Sequence, residues 1–324
     1  MRSYRTEDDV TAFRIEDGNQ VNLHLKDLGL FASGAFSNVY KGVAETPSNH
    51  SFDVVVKKTW PRSRNSPIEV KILRKLNRLK HKNIIRLVYS YQKDYEGKFC
   101  LSLIFEYMPL NLYQYLKLHN RRIDLLEIKL IAPPELLLGS KKYGCEVDIW
   151  SCGCVFGELL KGGVFLPGRN TNNQAEIIFS AIGTPTTAEL NAMNASKTKF
   201  KEIMENYEPA EGVTPNFRYL IDQQYGAHRT SMTYVHNTLI DRKEMEDSIR
   251  ILRKVLVYSP ENRMNGTELL LNPYFKSIFS SQALRFNGKR IGCLTIKDLE
   301  TVRIGDKTVT GTADSSEESK ADQN

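Results

Sequence analysis

The chain has 324 residues, of which 41% are hydrophobic, 26% charged and 10% aromatic. That is ordinary globular material, enough for a sizeable core and for two domains or one large two-lobed one. Its net charge of +7, from 45 Lys+Arg against 38 Asp+Glu, is mild at this length and argues against a nucleic-acid binder, which concentrates its excess in a stripe.

In chain order, residues 1–21 read as a polar, flexible N-terminus. From Asn22 to about Glu106 the pattern is mostly strands: NLHLKDLGLFA, NVYKGVA, DVVVKKT, IIRLVYSY and FCLSLIFE are short, rich in β-branched and aromatic residues, and separated by turn residues. One helix, roughly Pro67 to Leu79, interrupts them. The densest basic stretch, KILRKLNRLKHK (Lys71 to Lys82), lies on it and carries an apolar stripe of Ile72, Leu73, Leu76 and Leu79. It reads as an amphipathic helix with a solvated basic face. A five-stranded sheet with one helix results.

Beyond Asn111 the pattern is helical. VDIWSCGCVFGELL is apolar nearly all round, as a central buried helix is. AEIIFSAIG, EMEDSIRILRKVL and GTELLLNPYF follow, with a loop-rich stretch over 201–243. A polar, acidic tail from about Asp306 reads as disordered. The five cysteines, Cys100, Cys145, Cys152, Cys154 and Cys293, show no metal-ligand spacing, and Cys152 and Cys154 sit in an apolar run as small hydrophobes. With no apolar run of spanning length and no signal-peptide core, a reducing compartment, cytosol or nucleus, is expected.

LFASGAFSNVYKG joins two of the strands. Glycines in such a turn let backbone N–H groups lie over phosphates, because no Cβ intervenes. DVVVKK places Lys57 at a strand end, and Glu69 follows 12 residues later on the helix. Singly, these read as a plain hairpin, a surface lysine and a solvated acid. The order of signals changes that: HKNIIRL, LIFEYMP, PPELLLG (Pro133 to Gly139), Asp148, Trp150 and Gly153 in VDIWSCG, FLPGRN, IGTPT, Arg263 in SPENRM, and NPYF.

As a set, these motifs resemble a eukaryotic serine/threonine protein kinase over roughly residues 24–278. PG…IGTPT and TTAELNAMN look most like the glycogen synthase kinase 3, or shaggy, branch of the CMGC group. The resemblance implies an α+β, bilobal fold: an N-lobe over 22–107 with a five-stranded antiparallel sheet and one helix, a truncated, mostly helical C-lobe over 108–280, and an extension over 281–324. It implies ATP and magnesium as cofactors and protein substrates or scaffold proteins as partners, with no nucleic acid and no membrane. The glycine-loop positions are Ala32, Gly34, Ser37 and Val39, so one glycine remains. Lys57 and Glu69 are the phosphate-orienting pair, Val55 the adenine roof, and Phe105, Glu106 and Met108 the hinge strand. Glu135, Asp148 and Arg263 are structural. Where the branch has the first arginine of a primed-phosphate pocket stands Ile68.

One block is missing. Only 23 residues, PLNLYQYLKLHNRRIDLLEIKLI, separate Met108 from Ala132. They contain no H-R-D-x-x-x-x-N loop, which supplies the base and a magnesium ligand, and no D-F-G. HLKD at His24 precedes the glycine loop, His228-Arg229-Thr230 has Thr where the base belongs, and RRID (Arg121 to Asp124) lacks the asparagine. No catalytic or metal-binding residue is therefore assigned, and weak nucleotide binding, if any, is expected. DLLEIKLI starts a helix with Asp124 as cap, which Pro133 and Pro134 end. An apolar central helix lacking its cover, and an Asp148 lacking its partner loop, are expected. Three readings stand: an incomplete isoform or gene model of an active kinase, a pseudokinase acting as a binding or scaffold protein, and an active enzyme as written, for which no substitute base is found.

Overall fold

A computed structural model describes residues 6–34, 36–61, 67–95, 97–112, 114, 132–208, 217–222, 233–235, 238–240, 242–284, 290–292 and 294–302. The chain divides into two compact units, Met1–Asn111 and Leu112–Asn324. The expected helix over DLLEIKLI and the expected disordered tail lie outside the described residues.

The first unit is a closed antiparallel barrel of six strands: β1 (Thr6–Arg14), β2 (Gln20–Ser33), β3 (Ser37–Glu45), β4 (Ser51–Thr59), β5 (Leu87–Tyr95) and β6 (Lys98–Glu106), in the order β1-β2-β3-β4-β6-β5. The sequence reading had five strands and a loose N-terminus; the sixth strand comes from residues 6–14. It was hidden because only Val10 and Ala12 of β1 face the core, too few for an alternation signal. Polar Asp8 lies on the same strand, ion-paired to Lys93 of β5. β1 pairs with β2 along its length and with β5 through Phe13 and Arg14, which closes the barrel and removes its edges.

Period-2 alternation sorts the side chains. Leu23, Leu25, Val54, Val56, Tyr89, Tyr91 and Ile104 fill the barrel. The opposite face of β5 and β6, with Leu87, Leu101, Leu103 and Phe105, is covered by Val70 and Leu73 of α1 (Ile68–Leu79). Each such buried side chain contributes roughly 1.5–3 kcal/mol. At Gly42 a glycine is required: a Cβ there would lie 2.6 Å from the Lys26 carbonyl oxygen, where β2 bulges towards β3. The apolar stripe read on α1 is buried only in part, with Leu76 half-buried. Val70 and Leu73 pack on the sheet, while Ile72 and Leu79 are exposed. The Asn77 side chain holds both the N–H and the carbonyl of Leu87, tying the end of α1 to β5.

The second unit is helical: α2 (Pro134–Leu137), α3 (Glu146–Lys161), α4 (Thr171–Ile182), α5 (Thr187–Ala192), α6 (Lys197–Met204), α7 (Phe217–Asp222), α8 (Arg242–Val255) and α9 (Gly266–Leu271). A small hairpin of β7 (Thr233–Val235) and β8 (Thr238–Ile240) precedes α8. Thr186 and Asn265 each form a full capping box, with Glu189 and Glu268, at the starts of α5 and α9. The core gathers Trp150, Cys154, Phe165, Ile178, Phe179, Met245, Ile249, Leu252 and Leu256. Gly153 and Gly157, one turn apart on α3, let Val255 and Phe165 pack against the helix: a Cβ at either glycine would lie 2.6 Å from the Val255 or Phe165 side chain, closer than contact permits. No helix among the described residues is long and apolar enough to cross a membrane.

Helix α3 spans the stretch read as buried all round, but one side is not covered. Asp148 and Cys152 are exposed and Val155 and Leu159 half-buried, at spacings that share a face. Cys152 is thus not the buried hydrophobe expected of it, whereas Cys154 is.

Candidate functional site

In the first unit, pairing register assembles the residues singled out from sequence on one sheet face. Ala32 lies opposite Val39, Val39 opposite Lys57, Lys57 opposite Leu103, and Val55 opposite Phe105. Because Val54 and Val56 point into the barrel, Val55 and Lys57 lie on the other face, the one α1 partly covers. Glu69 sits in the first turn of α1 beside Val70, which anchors the helix to the sheet. Lys57 Nζ donates to Glu69 Oε1 at 2.6 Å, with both side chains part-exposed. A lysine so held is aimed along the sheet face instead of sweeping solvent, and presents a point charge suited to a phosphoryl oxygen.

The strand-turn-strand over this face is tight. Gly34 N–H donates to the Ser37 carbonyl at 2.8 Å, and Ser33 Oγ to Asn38 Oδ1 at 2.8 Å. The Gly34 amide is spent closing the hairpin, so it is withdrawn from any phosphate. A Cβ at Gly34 would find ordinary contact at 3.7 Å, so the backbone there does not demand glycine. Phe36 stands at the tip, 90% exposed. Near the hinge strand, Glu106 is exposed with Arg86 at 3.7 Å, and Met108 is exposed beyond β6. The sequence reading missed Lys41, whose ammonium lies 3.9 Å from the centre of the Tyr107 ring. Lys41 lies opposite Val55, so it shares the adenine-roof face. Nothing in its local pattern marks it.

The residues carried over as structural meet in the second unit. Arg263 and Glu135 are 0% and 1% exposed and form a bidentate pair, Nη1 to Oε1 and Nη2 to Oε2, each 2.7 Å. The remaining donors reach the carbonyls of Val257 (3.0 Å), Glu146 (3.0 Å) and Tyr258 (3.3 Å). All five guanidinium N–H groups are thus used. The guanidinium also stacks 5.2 Å from the centre of the Trp150 ring. Asp148 is not part of this network: its carboxylate is exposed, with no side-chain hydrogen bond among the described residues. Trp150 Nε1–H is buried and has no acceptor among them. Further along α3, burial pushes the Glu158 carboxyl up to about 6, against an opposing hydrogen bond from the Phe165 backbone.

The residues present fit a triphosphate in part. Lys57 held by Glu69 suits its phosphates, and the Ala32, Val39 and Val55 face suits a flat base narrowed by Val55. Among the described residues no cluster of three or more His, Cys, Asp or Glu is placed to hold a metal ion such as magnesium.

Comparison with known proteins finds two matching families. The model described as protein tyrosine and serine/threonine kinase matches residues 25–132, and the protein kinase domain model matches residues 129–275. The serine/threonine-protein kinase RIM11/MSD1 of Saccharomyces cerevisiae is 26% identical over 330 positions, covering 82% of this chain and 80% of that protein. A probable cyclin-dependent serine/threonine-protein kinase of Dictyostelium discoideum is 26% identical over 310 positions, covering 76% of this chain and 20% of that protein. Cyclin-dependent kinase 7 of the same organism is 32% identical over 144 positions, 44% of this chain and 32% of that protein. The chain thus spans a fifth to a third of the two Dictyostelium relatives. The RIM11/MSD1 alignment has more positions than this chain has residues. Since 82% of 324 is about 266, about 64 of its 330 positions face no residue here. The first Dictyostelium alignment gives the same figure, about 64, from 310 positions and 76%.

Proposed function

We propose that this member of the protein-kinase family is a serine/threonine kinase chain lacking one contiguous catalytic block between Ile131 and Ala132, and that it transfers no phosphate as it stands. The observation that carries the reading is the contrast across that join. Upstream, the Lys57–Glu69 pair is formed; downstream, four residues beyond the join, Glu135 is locked to Arg263. Between Met108 and Ala132 the sequence holds neither an H-R-D-x-x-x-x-N loop nor a D-F-G element, the motifs that place the base and the magnesium ligands in kinases. The two family matches meet at 129–132, at the join, and the total of about 64 alignment positions facing no residue leaves room for such a block. The uncovered face of α3 and the exposed Asp148 are what a missing neighbour leaves.

In this reading Lys57 and Glu69 orient a nucleotide weakly, and no residue accepts the proton of a substrate hydroxyl. The intact gene product phosphorylates protein serine or threonine with ATP and magnesium in the cytosol or nucleus. The glycogen synthase kinase 3-like assignment rests on TTAELNAMN and the IGTPT element. A second reading, a binding or scaffold pseudokinase, is favoured by three departures outside the join. These are the Gly34 amide closed onto Ser37, Val55 at the adenine roof, and Ile68 before Glu69.

Sequencing full-length cDNA across the codons for Met108 to Glu135 separates the two. Transcripts that mostly carry an extra in-frame block encoding H-R-D and D-F-G establish the first reading. Transcripts that uniformly join Ile131 to Ala132 overturn it and leave the scaffold.

A further inference from the structure

The basic stretch on α1 is more than a solvated face. Its Arg74, Arg78 and the following Lys80 line a cavity of about 520 Å³ together with Arg14 of β1 and Arg86. The β1–β2 turn supplies the opposite wall, with Glu16 and Asp17 as its two carboxylates and Phe13 and Ile15 as apolar surface. Both acids are committed: Asp17 to Arg14 at 2.9 Å and Glu16 to Lys80 at 2.8 Å. Arg86 has Glu106 at 3.7 Å. Arg74 and Arg78 have no ion-pair partner among the described residues.

The helix dipole accounts for cations in the last turn of α1, such as Arg78, and beside it. It does not account for Arg74 a turn earlier, nor for the arrival of Arg14 and Arg86 from other elements. Five cations from three parts of one unit meet here; Arg14, Lys80 and Arg86 have acidic partners, which leaves Arg74 and Arg78 as the two without a counter-charge among the described residues, and an anion between them would relieve their mutual repulsion. Arg74 and Arg78 are four residues apart on one helix, with Cβ atoms roughly 5–6 Å apart. One guanidinium fork already saturates a carboxylate; a phosphoryl group has a third oxygen for the second fork. The cavity far exceeds a lone ion, since a water occupies about 30 Å³, and Phe13 and Ile15 offer its wall to apolar side chains. A nucleic acid needs a stripe, and this is a pit.

We propose that this cavity binds a phosphorylated serine or threonine of a protein segment, the phosphoryl group held between Arg74 and Arg78 and a flanking apolar residue against Phe13 and Ile15. The site lies wholly in the first unit and does not depend on the missing block.

The test uses the full chain and a short fluorescein-labelled peptide with one phosphoserine flanked by leucine and acidic residues, its unphosphorylated twin, inorganic phosphate as competitor, and a labelled single-stranded oligonucleotide. The phosphopeptide is expected to bind about tenfold or more tighter than its twin, one charge-assisted contact amounting to about that factor. Arg74→Ala with Arg78→Ala should remove that difference. Arg78→Lys, which keeps the charge but loses the fork, should remove part of it. Lys75→Ala with Lys98→Ala, removing two exposed charges outside the cavity, should change affinity less than about twofold, the criterion for a non-specific charge effect. Equal weakening by both double variants overturns the proposal, as does inorganic phosphate displacing the peptide at concentrations near the peptide's own. Tighter binding of the oligonucleotide than of the phosphopeptide overturns it in favour of nucleic acid. Matching melting curves for wild type and variants show that lost binding is not lost folding.

Discussion

Replacing Arg263 by methionine removes a guanidinium that meets five acceptors and leaves the Glu135 carboxylate, 1% exposed, without a counter-charge. Breaking one side of a buried pair costs about 3–5 kcal/mol. That is a large share of the about 5–15 kcal/mol that holds a domain folded. Three backbone carbonyls, of Glu146, Val257 and Tyr258, lose a donor at the same time, so the upper half of the range is expected. Removing both charges, Glu135→Leu with Arg263→Met, should cost clearly less than the two single changes added, because the orphaned charge is gone. The assay is urea unfolding followed by fluorescence. Trp60 and Trp150 are the two tryptophans, and Trp150 stacks on Arg263, so a Trp60→Phe background leaves one reporter at the site. A loss under about 1 kcal/mol for Arg263→Met, the scale of an exposed pair, would refute the reasoning. Strict additivity in the double variant would refute it equally.

Two further outcomes follow from the structure. The Glu158 carboxyl is raised in the folded chain from 4.5 to about 6, so the native state binds its proton more tightly than the unfolded one. Its contribution is full below pH 4.5 and is lost as pH rises through about 6, amounting to about 2 kcal/mol at 1.36 kcal/mol per unit; Glu158→Gln should flatten that part of the stability profile. Asn77→Ala strips two hydrogen bonds from the Leu87 backbone and should destabilise the first unit by about 1–3 kcal/mol, seen as a lower urea midpoint for Trp60 in a Trp150→Phe background.

The sequence made all four members of the two diagnostic pairs legible, but the meeting of only one pair. Lys57 and Glu69 lie on consecutive elements, yet singly they read as a surface lysine and a solvated acid, and the ordered set of motifs is what marked them as a pair. Glu135 and Arg263 are 128 positions apart; the ordered set of motifs marked each as structural, and their pairing comes from the structure alone. What escaped lies where few residues carry the signal. β1 buries two side chains, and its Asp8 is matched by Lys93, 85 residues away. On α1, apolar residues occupy more of the helix circumference than the sheet can cover, so of the stripe that periodicity named, Leu73 packs on the sheet, while Ile72 and Leu79 are exposed and the unnamed Val70 is buried. Cys152 lies in an apolar run yet faces outward, because burial on α3 depends on a neighbour the run does not encode. The cavity around Arg74 and Arg78 was unreadable because Arg14 and Arg86 join it only once the barrel closes.

The most direct test of the account is incubation of the purified full chain with magnesium and γ-labelled ATP and a generic protein substrate, beside a heat-killed control and Lys57→Ala. Label transfer at the level of the heat-killed control is the predicted result. Transfer above that level, abolished by Lys57→Ala, would contradict the claim that the chain lacks the means of phosphoryl transfer.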